Sequence, residues 1–159
     1  MTASLSAIIL AYGSDELLRE SLDALRIALD AVDGETELIV VRNRVSAGSS
    51  FDLDNASDVV LVEPGRNLGF AGGANSALEH ARGEWVLLVN DDCTVEPTAV
   101  VELLAAAETG ADIGAVAAQV RFATRPGTIN SAGIQVDVLG IATERLLGAS
   151  ISASETELT

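Results

Sequence analysis

Five short apolar runs, each followed by sequence of a different periodicity, restrict this chain to very few folds. They are "LSAIILAY" (5–12), "ELIVV" (37–41), "DVVLVE" (58–63), "EWVLLVN" (84–90) and "IGAVAAQV" (113–120). Little polar alternation interrupts them, as expected of strands covered on both faces, which are usually parallel. Between the first two, Leu18, Leu22, Leu25, Leu29 and Val32 recur at spacings of 4, 3, 4 and 3, which makes one helical stripe. Ser14 is placed to cap that helix, with Asp15 and Glu16 in its first turn, where carboxylates oppose the helix dipole favourably. A second helix is expected over 70–82, stopped by Gly83. A third starts near Pro97 and ends before Gly110. The order β-α-β-β-α-β-α-β predicts an α/β fold, a Rossmann-like open and mainly parallel sheet with helices on both faces. Beyond residue 121 the pattern weakens to one or two short strands within "INSAGIQVDVLGIATERLLGAS". With 159 residues, 48% of them hydrophobic, one core is expected. The domain is therefore drawn over 1–149, and 150–159 is read as a polar, disordered tail.

Charge narrows the function classes. The chain carries 24 acidic and nine basic residues, a formal net charge of −15, and all nine bases are arginine. Nucleic acid and anionic membranes are poor partners for such a field. An anionic small ligand remains compatible if a cation or a local arginine offsets it. Without lysine there is no Walker-type phosphate loop and no Schiff-base or receiver-type lysine. No apolar run is long enough to span a bilayer, and no basic segment precedes "AIILAY" as in a signal peptide. The lone Cys93 has no internal disulfide partner, which suits a reducing compartment. A cytoplasmic location is expected, with the inner face of the membrane as the alternative.

Ligands of open α/β sheets bind beyond the carboxyl ends of the strands, so the loops after residues 12, 41, 63 and 90 carry the search. Two are chemically unusual. "EPGRNLGFAGGAN" places Gly65, Gly69, Gly72 and Gly73 with Arg66 and two asparagines ahead of a helix. Glycines admit close backbone approach to a ligand, and a helix N-terminus offers N–H groups to an anion. The same residues also suit a plain turn followed by close helix packing. The second loop gathers Asn90, Asp91 and Asp92 at the end of a strand. Adjacent carboxylates repel unless solvated or shared with a cation, and magnesium commonly takes one or two carboxylates plus substrate phosphates. A solvated acidic turn is the alternative for that loop alone. Together the two loops point to a diphosphate and the metal that accompanies it.

The stretch "GRNLGFAGGANSALEHARGEWVLLVNDDC" resembles the core signature of family 2 glycosyltransferases, most of all the bacterial rhamnosyltransferase and galactofuranosyltransferase branch. The resemblance runs from "AIILAYGSDELLRESLDAL" to "INSAGIQVDVLG". It implies a GT-A fold and a transferase of cell-wall or polysaccharide biosynthesis. Its donor would be a nucleoside-diphosphate sugar (a dTDP- or UDP-sugar), its acceptor a saccharide or lipid-linked, and its cofactor Mg2+ or Mn2+. By position it implies that Ala11 and Tyr12 line the base pocket, with Asn43 at the end of the second strand beside the nucleotide. Arg66, Asn67, Gly69, Gly72 and Asn75 would form the nucleotide-facing segment. Asn90, Asp91 and Asp92 would form the acidic motif, with Asp92 as metal ligand. The chain departs from the family at Arg42, where an aspartate usually reads the base, and at Gly13, where asparagine is common. The family's catalytic base lies downstream of the acidic motif in an acceptor-binding half, and Thr159 is reached before that half is expected to begin. The catalytic residue is therefore unassigned, and Asp112, Asp137 and Glu144 are read as ordinary surface acids.

Other residues receive structural readings. His80 is expected to be exposed near a helix C-terminus, Cys93 to be a small structural residue disfavoured as a thiolate by the two aspartates, and Trp85 to belong to the core. Arg121 and Arg125 are read as exposed. Two functions compete: a metal-dependent donor-binding domain, and a non-catalytic module of the same fold that assembles with another chain, as a homodimer for example. A dinucleotide oxidoreductase is disfavoured, because "YGSDE" follows the first strand where G-x-G-x-x-G would be required.

Overall fold

The computed structural model describes residues 5–12, 14–43 and 56–152. The chain divides into two units, Met1–Val101 and Glu102–Thr159. In the first, strands β1 (Leu5–Ala11), β2 (Thr36–Arg42), β3 (Val59–Val62) and β4 (Trp85–Asn90) form one sheet in the order β3-β2-β1-β4. Every pairing in it is parallel. Strand order runs outward from β1 to β3 and then jumps back to place β4 on the other side of β1. The reversal lies between β1 and β4, and such a switch point is where open α/β sheets bind ligands.

The two-residue period of the strands divides the core in two. All seven residues of β1 are buried. Ile8 and Leu10 of β1 share a face with Ile39 and Val41 of β2, and this face packs against Ala74 and Ala77 of α2 (Gly69–Leu78). Ala7 and Ile9, with Leu38 and Val40, are buried on the opposite face. Helix α1 (Asp15–Asp30) crosses that side with Leu18, Leu22, Leu25 and Leu29 buried, the stripe expected from the sequence. Ser14 caps α1 as predicted, accepting the Leu17 N–H at 3.2 Å. Along its length α1 is tied by the Ser21 hydroxyl donating to the Asn90 carbonyl of β4 at 3.3 Å and by Arg26 to Asp58, just ahead of β3, at 2.7 Å.

A polar knot closes the sheet at its amino end. Glu37 accepts the Ser6 hydroxyl at 2.6 Å, and Arg82 donates to it from Nη2 at 2.9 Å and from its backbone N–H. Burial raises the Glu37 carboxyl, but the Ser6 and Arg82 hydrogen bonds outweigh it and hold the group below its ordinary value. A carboxylate with a depressed folded pKa contributes stability above its unfolded pKa and loses it as the pH falls through the folded one. Stability is thus expected to drop on acidification below about pH 4.3. Glu37→Gln should cost about 1 kcal/mol at neutral pH, and its gap from the parent should close as the medium is acidified. Urea melts across that range check this; a gap that stays constant would show that the charge of Glu37 contributes nothing.

Helix α3 (Ala99–Ala107) spans the boundary between the units and falls inside its expected limits. In the second unit β5 (Val120–Phe122) pairs antiparallel with β6 (Arg125–Ser131), and β7 (Ile134–Val136) with β8 (Ala142–Glu144). Ile129 is fully buried there, its backbone bonded to Ala149 and Gly148 at 2.9 Å each. The expected fifth parallel strand is absent among the described residues: 113–119 form no strand, and only Val120 enters one. Gly114, Ala115, Ala117 and Ala118 are exposed, and small side chains of that kind have little to bury on a sheet face. The second helix is also shorter than predicted, ending at Leu78 instead of 82, because the Arg82 backbone is drawn into the Glu37 knot. Of the expected polar tail, Ser150 bridges to Thr128, and 153–159 lie outside the described residues, as does Gly13. No described helix is long and apolar enough to cross a membrane.

Candidate functional site

Three strand ends and one glycine turn meet at the carboxyl edge of the sheet. Strand β1 delivers Ala11, buried, and Tyr12, 62% exposed. Strand β2 delivers Arg42 and Asn43. The Asn43 backbone N–H continues the ladder to the Ala11 carbonyl at 2.9 Å. Its side chain is buried and turns to the glycine segment, accepting the Leu68 N–H at 2.8 Å and donating to the Gly69 carbonyl at 2.9 Å. Arg42 pairs through Nη1 with Glu63 Oε1 at 2.6 Å, and its Nε is buried with no hydrogen-bond partner among the described residues.

The glycine segment is both turn and packing device. Gly65 and Gly69 have φ of 71° and 70°, a region that side chains with a Cβ rarely adopt. Asn67 accepts the Gly69 N–H at 2.8 Å, a local bond that commonly shapes turns. Gly73 serves another purpose: a Cβ there would lie 2.8 Å from Leu10 Cδ2 and 3.1 Å from Asn43 Nδ2. The small residues of α2 thus let it lie close on β1 and β2. Both readings of this loop hold, at different glycines.

Strand β4 ends in a tight turn, with the Cys93 N–H bonded to the Asn90 carbonyl at 3.2 Å. The turn presents the two aspartates differently. Asp91, half-buried, accepts the Tyr12 backbone N–H at 2.7 Å. Asp92 is exposed. Burial pushes the Cys93 thiol up and the charge of Asp92 adds to the effect, so its thiolate is disfavoured, as expected.

An open cleft of about 330 Å³ lies at this junction, lined by Leu10, Tyr12, Asn43, Asn67, Gly69, Phe70, Asn90, Asp91 and Asp92. Its size is in the range of small-ligand sites. Seven of the residues expected from the sequence line it: Tyr12, Asn43, Asn67, Gly69, Asn90, Asp91 and Asp92. Ala11, Arg66, Gly72 and Asn75 do not: Ala11 is buried in the sheet, Gly72 faces Leu68 Cβ, and Arg66 and Asn75 are exposed outside the cleft. Leu10 and Phe70 were not expected. Phe70 is 55% exposed, and an aromatic placed between Gly69 and the Gly72-Gly73 pair was its signal in the sequence. Trp85 opens β4 at the other end of the sheet, away from the cleft. Among the described residues no three His, Cys, Asp or Glu side chains converge as a metal cluster. The oxygen donors of the cleft are of the type that suits magnesium or manganese, in a number that leaves the remaining positions to a ligand's own oxygens.

The family model described as Glycosyl transferase family 2 matches residues 6–141. Among solved structures, S. aureus TarS (residues 1–349) is 21% identical with a TM-score of 0.54; the match covers 73% of this chain and 39% of that one. The mannosyltransferase PcManGT from Pyrobaculum calidifontis, solved with GDP-Man and Mn2+, is 22% identical with a TM-score of 0.64, covering 76% of this chain and 36% of that one. This chain therefore spans well under half the length of either. No curated protein matches it significantly. The match over residues 6–141 covers most of the chain and agrees with the parallel sheet and its switch-point cleft: the protein belongs to glycosyltransferase family 2 and has a GT-A-like fold.

Proposed function

We propose that this chain is the donor-binding part of a metal-dependent glycosyltransferase, which moves a sugar from a nucleoside-diphosphate sugar to a saccharide or lipid-linked acceptor. The observation that carries the reading is the convergence of Tyr12, Asn67, Gly69 and Asn90 to Asp92 on one cleft beside the β1/β4 switch point. Tyr12 and Phe70 supply exposed aromatic faces on which a base can stack. Asn90 and Asp91 offer acceptors to ribose hydroxyls, and Asp91 at the same time holds the β1 loop in place through Tyr12. Asn67 and the start of α2 supply the donors suited to a diphosphate.

Asp92, with diphosphate oxygens, would hold a Mg2+ or Mn2+ ion, which when bound offsets the charge of the departing diphosphate. The surrounding charge of −15 makes such an offset necessary, because a bare diphosphate would otherwise approach against the field. No residue of the cleft is assigned as catalytic base. That role needs a carboxylate within reach of an acceptor hydroxyl.

Calorimetric titration of the protein with uridine and thymidine diphosphates tests the reading. Saturable binding is expected with Mg2+ or Mn2+ and none after excess chelator. A folded protein that binds neither nucleotide under any of these conditions would overturn it and leave the non-catalytic assembly module as the better description.

A further inference from the structure

Asn43 lines the cleft, yet both ends of its amide are directed at the protein. Oδ1 accepts from the Leu68 N–H at 2.8 Å and Nδ2 donates to the Gly69 carbonyl at 2.9 Å. These are the last residue before α2 and its first residue. Leu68, at the N-cap position, makes no side-chain capping bond of its own; the local anchor of α2 is Asn67, which accepts the Gly69 N–H at 2.8 Å. An amide from a different strand, 25 residues earlier in sequence, adds a second anchor, and it is the one that ties the helix start to the sheet. It is buried to 4% exposure and fixed in turn by its backbone N–H on Ala11.

A second observation bears on the same contact. α2 can reach Asn43 only because residue 73 is glycine. A Cβ there would press on the Asn43 amide at 3.1 Å and on Leu10 at 2.8 Å. One residue attracts the helix start and the other permits the approach. The segment they hold, 67–70, supplies three lining residues of the cleft, Asn67, Gly69 and Phe70, facing Asn90 to Asp92 on the other side.

We propose that Asn43 is a positioning residue: its amide fixes the first turn of α2 against the end of β2 and thereby sets the distance between the glycine wall and the acidic wall of the cleft. The effect on nucleotide affinity rests on the donor-binding reading above; the effect on α2 does not. Asn43 therefore acts through Leu68 and Gly69 instead of serving chiefly as a ligand contact. Gly73 belongs to the same device. A residue important only for stability would alter melting and leave affinity unchanged wherever the protein is folded.

The test compares the parent, Asn43→Ala and Gly73→Ala at a temperature where circular dichroism shows all three folded. Each is titrated with uridine and thymidine diphosphates in the presence of Mn2+, and amide exchange is followed at Leu68. Both variants are expected to bind about tenfold more weakly, the loss of roughly one well-made hydrogen bond. Leu68 exchange should accelerate by a similar factor in Asn43→Ala. In Gly73→Ala the new methyl presses on Leu10 and on the Asn43 amide, an overpacking cost that outweighs alanine's preference for helix, so its melting point should fall modestly; the affinity, read where it is folded, decides. Affinities within about twofold of the parent in both variants would overturn the proposal. Should Asn43→Ala fail to fold, Gly73→Ala alone decides it. Should the parent bind no nucleotide, the donor-binding reading falls, and Leu68 exchange decides the rest: faster exchange upholds the anchor, unchanged exchange removes it.

Discussion

Gly83→Ala is expected to destabilise the protein by about 3 kcal/mol or more, the upper range for forcing a methyl group into a packed interior. A Cβ at residue 83 would stand 2.4 Å from the Ser6 nitrogen, 2.6 Å from the Leu5 carbonyl carbon and 2.8 Å from the Leu5 Cα. All three are backbone atoms of β1, the strand paired on both sides, so no rotamer change relieves the clash. The loop would have to withdraw, and withdrawal breaks the bond from the Gly83 N–H to Ser6 Oγ at 2.8 Å and loosens the Arg82 and Ser6 contacts of Glu37. At roughly 2–4 °C per kcal/mol for a chain of this size, the melting temperature should fall by about 10 °C. Gly114→Ala is the control, because its added Cβ meets nothing within 4 Å and surface changes of that kind stay within about 0.5 kcal/mol. Thermal melts of the two variants settle the matter, and a Gly83→Ala melt indistinguishable from that of Gly114→Ala would show that the loop yields freely.

Gly83 also shows where sequence reading reaches its limit. Its position after a helical segment suggested a helix stop, but α2 ends at Leu78, and the glycine is required by a strand 77 residues away. The four parallel strands were legible because their runs are apolar throughout, and α1 because its stripe and its Ser14 cap are local; the expected cover on both faces holds for β1 and the middle of β2, whereas β4 leaves Val86 and Leu88 exposed. The run at 113–120 has similar hydropathy but is made largely of alanine and glycine, and hydropathy without side-chain bulk does not make a strand. Within the cleft, Asp91 and Asp92 were legible as a pair, since adjacent carboxylates at a strand end are chemically conspicuous. What separates them is a 2.7 Å bond from Tyr12, a contact across 79 residues that no local pattern encodes. Asn43 was expected at the site for its position; the two bonds that define its work depend on where α2 lands, and that follows from the whole sheet.

The separation of the two aspartates leads to the second large effect. Asp92→Ala is expected to weaken metal-dependent binding of a nucleoside diphosphate by about a hundredfold, the loss of one carboxylate from an ion that few protein groups hold. Its melting temperature should be unchanged, because Asp92 is exposed and removing one of two neighbouring like charges relieves repulsion. Asp91→Ala should do the reverse in stability. It loses the Tyr12 N–H bond, an exposed contact worth about 1 kcal/mol, and loosens the β1 loop. The sign of the Asp92 result carries the argument. In a protein of net charge −15, a carboxylate that merely sat near the cleft would repel an incoming diphosphate, so its removal would leave affinity unchanged or raise it. A carboxylate that holds a cation makes affinity fall when its negative charge is taken away, and the fall is confined to binding in the presence of the metal, which separates it from a carboxylate that only accepts from a ribose hydroxyl. Calorimetry of parent and Asp92→Ala at equal Mn2+ distinguishes the two, and tighter binding by the variant would remove Asp92 as the metal ligand.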